Sequence, residues 1–137
     1  MVFENKLVAI LNKDVEPGVV LNALAHMSVG LGAEVGKSSL RLDDYKDAKG
    51  NIYPNISQIP FIILRGKSGE IRNTIQKAKE LKILHGVFLN TMTGGTYLEQ
   101  LARTAESQEE ALTYYGCVLF GEWVAVSEMT RKFSLWR

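Results

Sequence analysis

One cysteine, two histidines and a net charge of +1 are all the reactive or electrostatic bias that 137 residues provide. A lone Cys117 cannot close an internal disulfide, so a reducing compartment is expected. Its neighbours Gly116, Val118, Leu119 and Phe120 describe a buried structural thiol rather than a nucleophile. His26 and His85 stand at no spacing that would gather a metal with the cysteine, so neither a metal site nor a cofactor is expected. Sixteen Lys and Arg balanced by fifteen Asp and Glu supply no overall field that would draw in nucleic acid or anionic lipid. The opening MVFENK sets Glu4 and Lys6 where a secretory signal needs a basic start followed by an apolar run, and the expectation is a cytoplasmic protein.

What the chain does have is pattern. With 46% hydrophobic and 23% charged residues it reads as a single globular domain over residues 1–137. Residues 6–35 organise the rest: the run Lys6–Asn12 has strand length, Pro17 suits a first helical turn, and Gly30, Gly32 and Gly36 supply stop signals. No formal charge falls between Glu16 and Glu34. Val20, Leu24, Met27 and Leu31 form one helical stripe that should pack on a sheet, and Leu21, Ala25, Ser28 and Gly32 form a second of mostly small residues. A helix bare of charge on every face is expected to be covered all round, by sheet, by a neighbouring helix or by a partner subunit. Asn22, His26 and Ser28 within it argue for a buried soluble helix and against a membrane span.

Further along, SSLRLDD at 38–44 alternates as a strand with one wet face, and 44–59 reads as an exposed loop with a turn at Ala48–Asn51. PFIILR at 60–65 and Gly86–Asn90 are apolar runs of strand length. Between them Ser68 is placed to cap a helix from about Gly69 to Leu84, with Ile71, Ile75, Ala78 and Leu81 or Lys82 inward. A further helix is expected at about Thr96–Ala105, with another turn at Gln108–Thr113. Strands separated by helices imply crossover units. The expected fold is therefore α/β, a three-layer α/β/α domain whose mixed, mainly parallel sheet has about four or five strands.

In such a fold ligands bind beyond the carboxyl ends of the strands. That edge should gather Asn12, Lys13 and Asp14 after the first strand, Gly18 at the helix start, and Asn90, Thr91, Thr93, Gly94 and Gly95 after the later one. The TGGT loop is either a site for backbone donors to an anion or carbonyl, or a plain turn, and no nucleotide-binding glycine spacing accompanies it. His26 is either a base or hydrogen-bond partner for a substrate, with Asn22 one turn earlier, or a histidine packed inside. A small anionic or carbonyl ligand is the expected occupant. The uncharged helix, together with Trp123 and Trp136, also suggests a homodimer.

LVAILNKDVEPGVVLNALAHMSVGL, read without a gap, resembles the opening of the type II peptidyl-tRNA hydrolases, and IILRGKSGEIRNTIQKAKELKILHGVFLN resembles their strand, helix and strand. GCVLFG, a linking segment and MTRKFSLWR resemble their last strand, final helix and closing Leu-rich end. The resemblance implies that family's fold, and tRNA as a partner that the near-neutral charge does not support. It puts His26 at the family's helix histidine and Gly18 at its loop glycine. The family's lysine falls on Val19, its helix glutamine on Ala23 and its two aspartates on Asn12 and Asn90, so the site would keep His26, Lys13 and Asn90 as its remaining candidates for catalysis. An amide neither attacks nor exchanges a proton, and the reading that follows is a binding or regulatory protein on a hydrolase fold. The alternative is a divergent hydrolase of an ester or amide. TMTGG and the closing SLW look more like an uncharacterised bacterial family of this same fold.

Overall fold

The computed structural model describes residues 2–137. Its main sheet has five strands in the order β5-β6-β1-β4-β7: β1 Asn5–Asn12, β4 Phe61–Gly66, β5 Leu84–Leu89, β6 Tyr114–Glu122 and β7 Ser134–Leu135. A separate hairpin pairs β2 (Leu42–Lys46) with β3 (Ile52–Ser57). Among the described residues five α-helices accompany the strands: α1 Pro17–Val35, α2 Lys37–Leu40, α3 Ser68–Glu80, α4 Tyr97–Glu106 and α5 Trp123–Thr130.

Alternation along β1 builds the layers. Leu7, Ala9 and Leu11 point to one face, where Val20, Ala23, Met27 and Leu31 of α1 cover them. Val8 and Ile10 point to the other, against Ile71, Ile75 and Ala78 of α3 and Val126 of α5. Fully burying one such aliphatic side chain stabilises by about 1.5–3 kcal/mol. The ion pairs Arg72–Glu109, Lys77–Glu80 and Arg131–Glu128 are solvent-exposed, where such a pair is worth about 0–1 kcal/mol. Stability therefore resides in the two faces of β1. Cys117 lies in this core with no exposed surface, and burial pushes its thiol up to about 12, which keeps it protonated and inert.

Several expectations are corrected. The sheet is mixed but not mainly parallel: only β1 and β4 pair in parallel, because β6 inserts between β1 and β5 and runs against both. Hydrophobic pattern reports burial and carries no strand direction, which is why the sequence is silent on this. α1 continues through Gly30 and Gly32 and stops at Gly36, whose N–H donates to the Gly32 carbonyl. By length and composition it could cross a membrane; here it lies along the sheet on one buried stripe, with Leu21 and Val29 exposed, so the chain itself does not cover it all round. The strand expected at 38–44 is a helical turn followed by β2, and the loop at 44–59 is largely the hairpin. Ser68 does not cap α3, since its hydroxyl accepts the Tyr114 N–H at 2.9 Å, while Glu70 accepts the Lys67 N–H at 3.0 Å. Leu81 is exposed outside that helix. Trp136 packs on the α1 side of the core and Trp123 lies under the Lys6 ammonium at 4.7 Å, so the chain partly covers both tryptophans itself.

The hairpin is held at its turn by Asp47. Its carboxylate accepts from the Asn51 side-chain amide and the Tyr53 hydroxyl, each at 2.8 Å, and from the backbone N–H groups of Lys49 and Asn51 at 2.9 and 3.0 Å. The Asn51 amide, and next the Tyr53 hydroxyl, hold its pKa at about 2 against an ordinary 3.8. A carboxyl depressed in the folded state adds stability that is complete above its unfolded value and is lost as pH falls through the folded one. Cross-strand NMR contacts between Tyr45 and Tyr53 are therefore expected to weaken as pH falls from about 4 to about 2, before the main sheet unfolds. In Asp47→Asn the hairpin should be weaker at neutral pH and insensitive to pH over that window; an intact wild-type hairpin below about pH 2 would contradict the assignment.

Candidate functional site

β1 and β5 point the same way although β6 separates them, so Asn12 and Asn90 reach the same sheet edge and flank the start of β6. The side-chain oxygens of both amides are engaged there. Asn12, 2% exposed, donates from Nδ2 to the Tyr114 carbonyl and accepts the Asp14 N–H, both at 2.9 Å. Asn90 Oδ1 accepts the Thr113 N–H at 3.0 Å while its own N–H donates to the Thr113 carbonyl at 2.9 Å. These side chains tie chain segments together, a structural task that strand ends with unpaired backbone groups demand. Lys13 is exposed on the β4 side, its N–H donating to the Gly66 carbonyl, and Gly18 is exposed in the first turn of α1.

The Thr91–Gly95 loop works opposite to the expected anion cradle. Gly94 and Gly95 take φ of +76° and +72°, a pair of left-handed residues that side chains disfavour. Their loop turns carbonyls toward α4. Arg103 Nε donates to Thr91 O at 2.8 Å, its terminal nitrogen donates to the carbonyls of Thr93 and Gly94, and Gln100 Nε2 donates to Gly94 O at 3.2 Å. The Thr104 and Thr91 hydroxyls meet at 2.7 Å, and Thr91 is buried. The loop thus holds a cation of its own chain. Across α4's first turn Thr96 Oγ1 accepts the Glu99 N–H and Glu99 accepts the Thr96 N–H, which holds the Glu99 carboxyl below its ordinary range.

Beside this loop a cleft of about 600 Å³ opens between α1 and α4. α1 contributes Asn22, His26 and Met27, β5 contributes Val87 and Phe88, and the following turn contributes Met92, Thr93 and Gly94. α4 closes the far side with Tyr97, Gln100, Leu101 and Thr104. His26 is exposed, correcting the reading of a histidine packed inside, and its ring sits 6.3 Å from that of Phe88. Of the residues expected at the site, His26, Thr93 and Gly94 line this cleft; Asn12, Lys13, Gly18, Asn90, Thr91 and Gly95 do not. The Lys13 ammonium thus does not line the cleft that the imidazole it was expected to join lines.

Sequence reasoning missed Phe88, Tyr97, Gln100 and Leu101. The signal was there in part: Tyr97, Leu101 and Thr104 recur at helical spacing on the helix expected near 96–105, and a helix so patterned must face something. The ionisable groups lining the cleft are His26 and Tyr97. Among the described residues no cluster of three His, Cys, Asp or Glu side chains is placed to hold a metal ion.

The division between structural and free side chains has a measurable outcome. Asn12→Ala leaves the Tyr114 carbonyl and the Asp14 N–H without their partner and is expected to cost about 1–3 kcal/mol in denaturant unfolding. Lys13→Ala, at an exposed position, should change stability by less than about 0.5 kcal/mol. Equal midpoints for the two variants would show that Asn12 is not the tie described here.

The fold is similar to that of a protein of unknown function from Agrobacterium tumefaciens strain C58, with a TM-score of 0.84 and 20% sequence identity over 99% of this chain and 100% of the other. At that identity the likeness speaks for the fold alone. No curated protein matches the chain. Neither similarity names a peptidyl-tRNA hydrolase, so the fold stands at the coarser level, α/β with a mixed five-stranded sheet. Residues 5–137 match the family described as "Protein of unknown function (DUF2000)", and the chain belongs to that family.

Proposed function

We propose that the protein binds a small organic molecule in the cleft between α1 and α4 and acts by binding, as a carrier or regulatory protein, and not by catalysis. The observation that supports this is the composition of the lining. An imidazole and a phenol are its ionisable groups, set among Met27, Val87, Phe88, Met92 and Leu101, with Asn22, Thr93, Gln100 and Thr104 as hydrogen-bonding groups. Apolar walls with a few convergent polar groups, enclosing a volume within about 300–1,000 Å³, are the usual make-up of a small-molecule site.

Hydrolysis asks for more. A general base acts best when a second group orients it, and no side chain among the described residues hydrogen-bonds to the His26 ring, whose close aromatic neighbour is Phe88. Asn12 and Asn90, at the positions where the resemblance puts aspartates, carry no charge and are bonded within the chain. The carbonyls of Thr91, Thr93 and Gly94 accept from Arg103, so that guanidinium is engaged within the chain and does not offer its charge to a developing oxyanion.

The test sets purified protein against both readings. Peptidyl-tRNA is expected to be hydrolysed no faster with the protein than in buffer. A thermal-shift screen of small carbonyl and carboxylate compounds is expected to find ligands that raise the melting temperature, since a ligand at 100 times its Kd adds about 2.7 kcal/mol to folding. Because His26 is exposed, His26→Ala should alter the unliganded stability by less than about 1 kcal/mol while removing most of the ligand-induced shift. Turnover of peptidyl-tRNA that disappears in His26→Ala would overturn the binding reading.

A further inference from the structure

We propose that this cleft selects ligands with an aromatic ring, and that α4 closes over them as a lid. The inference rests on the small-ligand reading of the same cleft and adds the chemical class of the ligand and the part that moves.

The class follows from the rings and thioethers. Phe88 lies 6.4 Å from Tyr115 at an interplanar angle of 20°, and His26 continues the row 6.3 Å beyond Phe88 at 31°. His26 is exposed at the cleft end of that row, and Tyr97 lines the same cleft from α4. A flat ring entering between them gains an offset stacking interaction that a saturated ring of the same outline does not. The Met27 and Met92 side chains add polarisable sulfur, which prefers aromatic neighbours and adapts to their shape. No carboxylate, ammonium or guanidinium lines the cleft, so the ligand's polar head is one that Asn22, His26 and Gln100 can hydrogen-bond, a carboxamide or a single carboxylate.

The lid follows from how α4 is attached. The helix is amphipathic, yet none of its ten residues is buried, and Tyr97 and Leu101 remain 71% and 50% exposed. Its side-chain ties, from Gln100, Arg103 and Thr104, go to the Thr91–Gly94 loop and not to the sheet. It enters through Gly94 and Gly95 at positive φ and leaves through the extended Ser107, positions that can absorb a rotation of the whole helix. An apolar helical face turned to a cleft and left wet gains its burial when a ligand fills the space between.

The experiment titrates the protein with 2-naphthamide, 2-naphthoate and decahydro-2-naphthamide, followed by two-dimensional NMR and by amide hydrogen exchange. Expected are shifts confined to amides around Asn22–Met27, Val87–Phe88 and Tyr97–Thr104, and binding of the saturated compound at least about fivefold weaker than 2-naphthamide. Exposed Tyr97 permits the variant Tyr97→Leu without loss of fold, and in it that discrimination should shrink to within about twofold. On saturation with 2-naphthamide the α4 amides should exchange at least about tenfold more slowly while those of α3 are unchanged. Equal binding of the saturated compound overturns the aromatic class, and unchanged exchange in α4 overturns the lid; the small-ligand reading survives either result. If none of the three compounds perturbs the cleft, the inference and the reading beneath it fall together.

Discussion

The structure depends on a strand that has water on neither side. Seven of the eight residues of β1 are buried, so each of its backbone donors and acceptors must find a partner within the protein, at a cost of about 1–3 kcal/mol for each one left unpaired. β4 in parallel and β6 antiparallel meet that demand, and the two helical layers meet the demand of its side chains. The fit is close. A Cβ on Gly116 of β6 would lie 2.9 Å from the Met27 methyl and 3.1 Å from the Ile10 carbonyl, so the absence of a side chain there lets α1 come down onto the sheet beside the cleft.

From that constraint the cleft inherits one firm wall and one light one. Met27 and Phe88 are core residues that also border the open space, and they share the full cooperativity of the sheet. α4 has no buried residue and is fastened by the Arg103 guanidinium to loop carbonyls and by the Thr104 hydroxyl to that of Thr91. Hydrogen bonds contribute about 0.5–1.5 kcal/mol each, or about 1.5–3 kcal/mol where one partner is charged, whereas the α1 face of the core adds about 1.5–3 kcal/mol for each of its buried aliphatic side chains. Local opening is drawn from the weakly held end of such a range, which is why the mobile part of the proposed site is the helix with no buried residue.

Particular residues show how far the sequence could be read. Val20, Met27 and Leu31 occupy the inner stripe of α1 as their spacing required, with Ala23 fully buried and Leu24 beside it, and Ile71, Ile75 and Ala78 do the same for α3. Thr96 caps the helix expected at 96–105. Asn12 and Asn90 share an edge because both end strands that point the same way, but whether an amide is free or bonded depends on residues about 20 and 100 positions distant, and pattern carries no such information. SSLRLDD misled because seven residues of alternation are too few to separate a strand from a helical turn followed by one.

Local spacing by itself determined the strands β1, β4 and β5, the helices α1, α3 and α4, the burial of Cys117 and the absence of a metal-ligand pattern, because each of these follows from periodicity or composition within a short window. Tertiary structure alone decided that β6 would run between β1 and β5, that Arg103 would take the carbonyls of the glycine loop, and that His26 would stand at a cleft with Phe88 and Tyr97 rather than with Lys13. Those outcomes turn on which distant segments meet. That is set by the joint requirement that every buried polar group be paired and every apolar face covered, a condition on the whole chain that no single stretch of it can express.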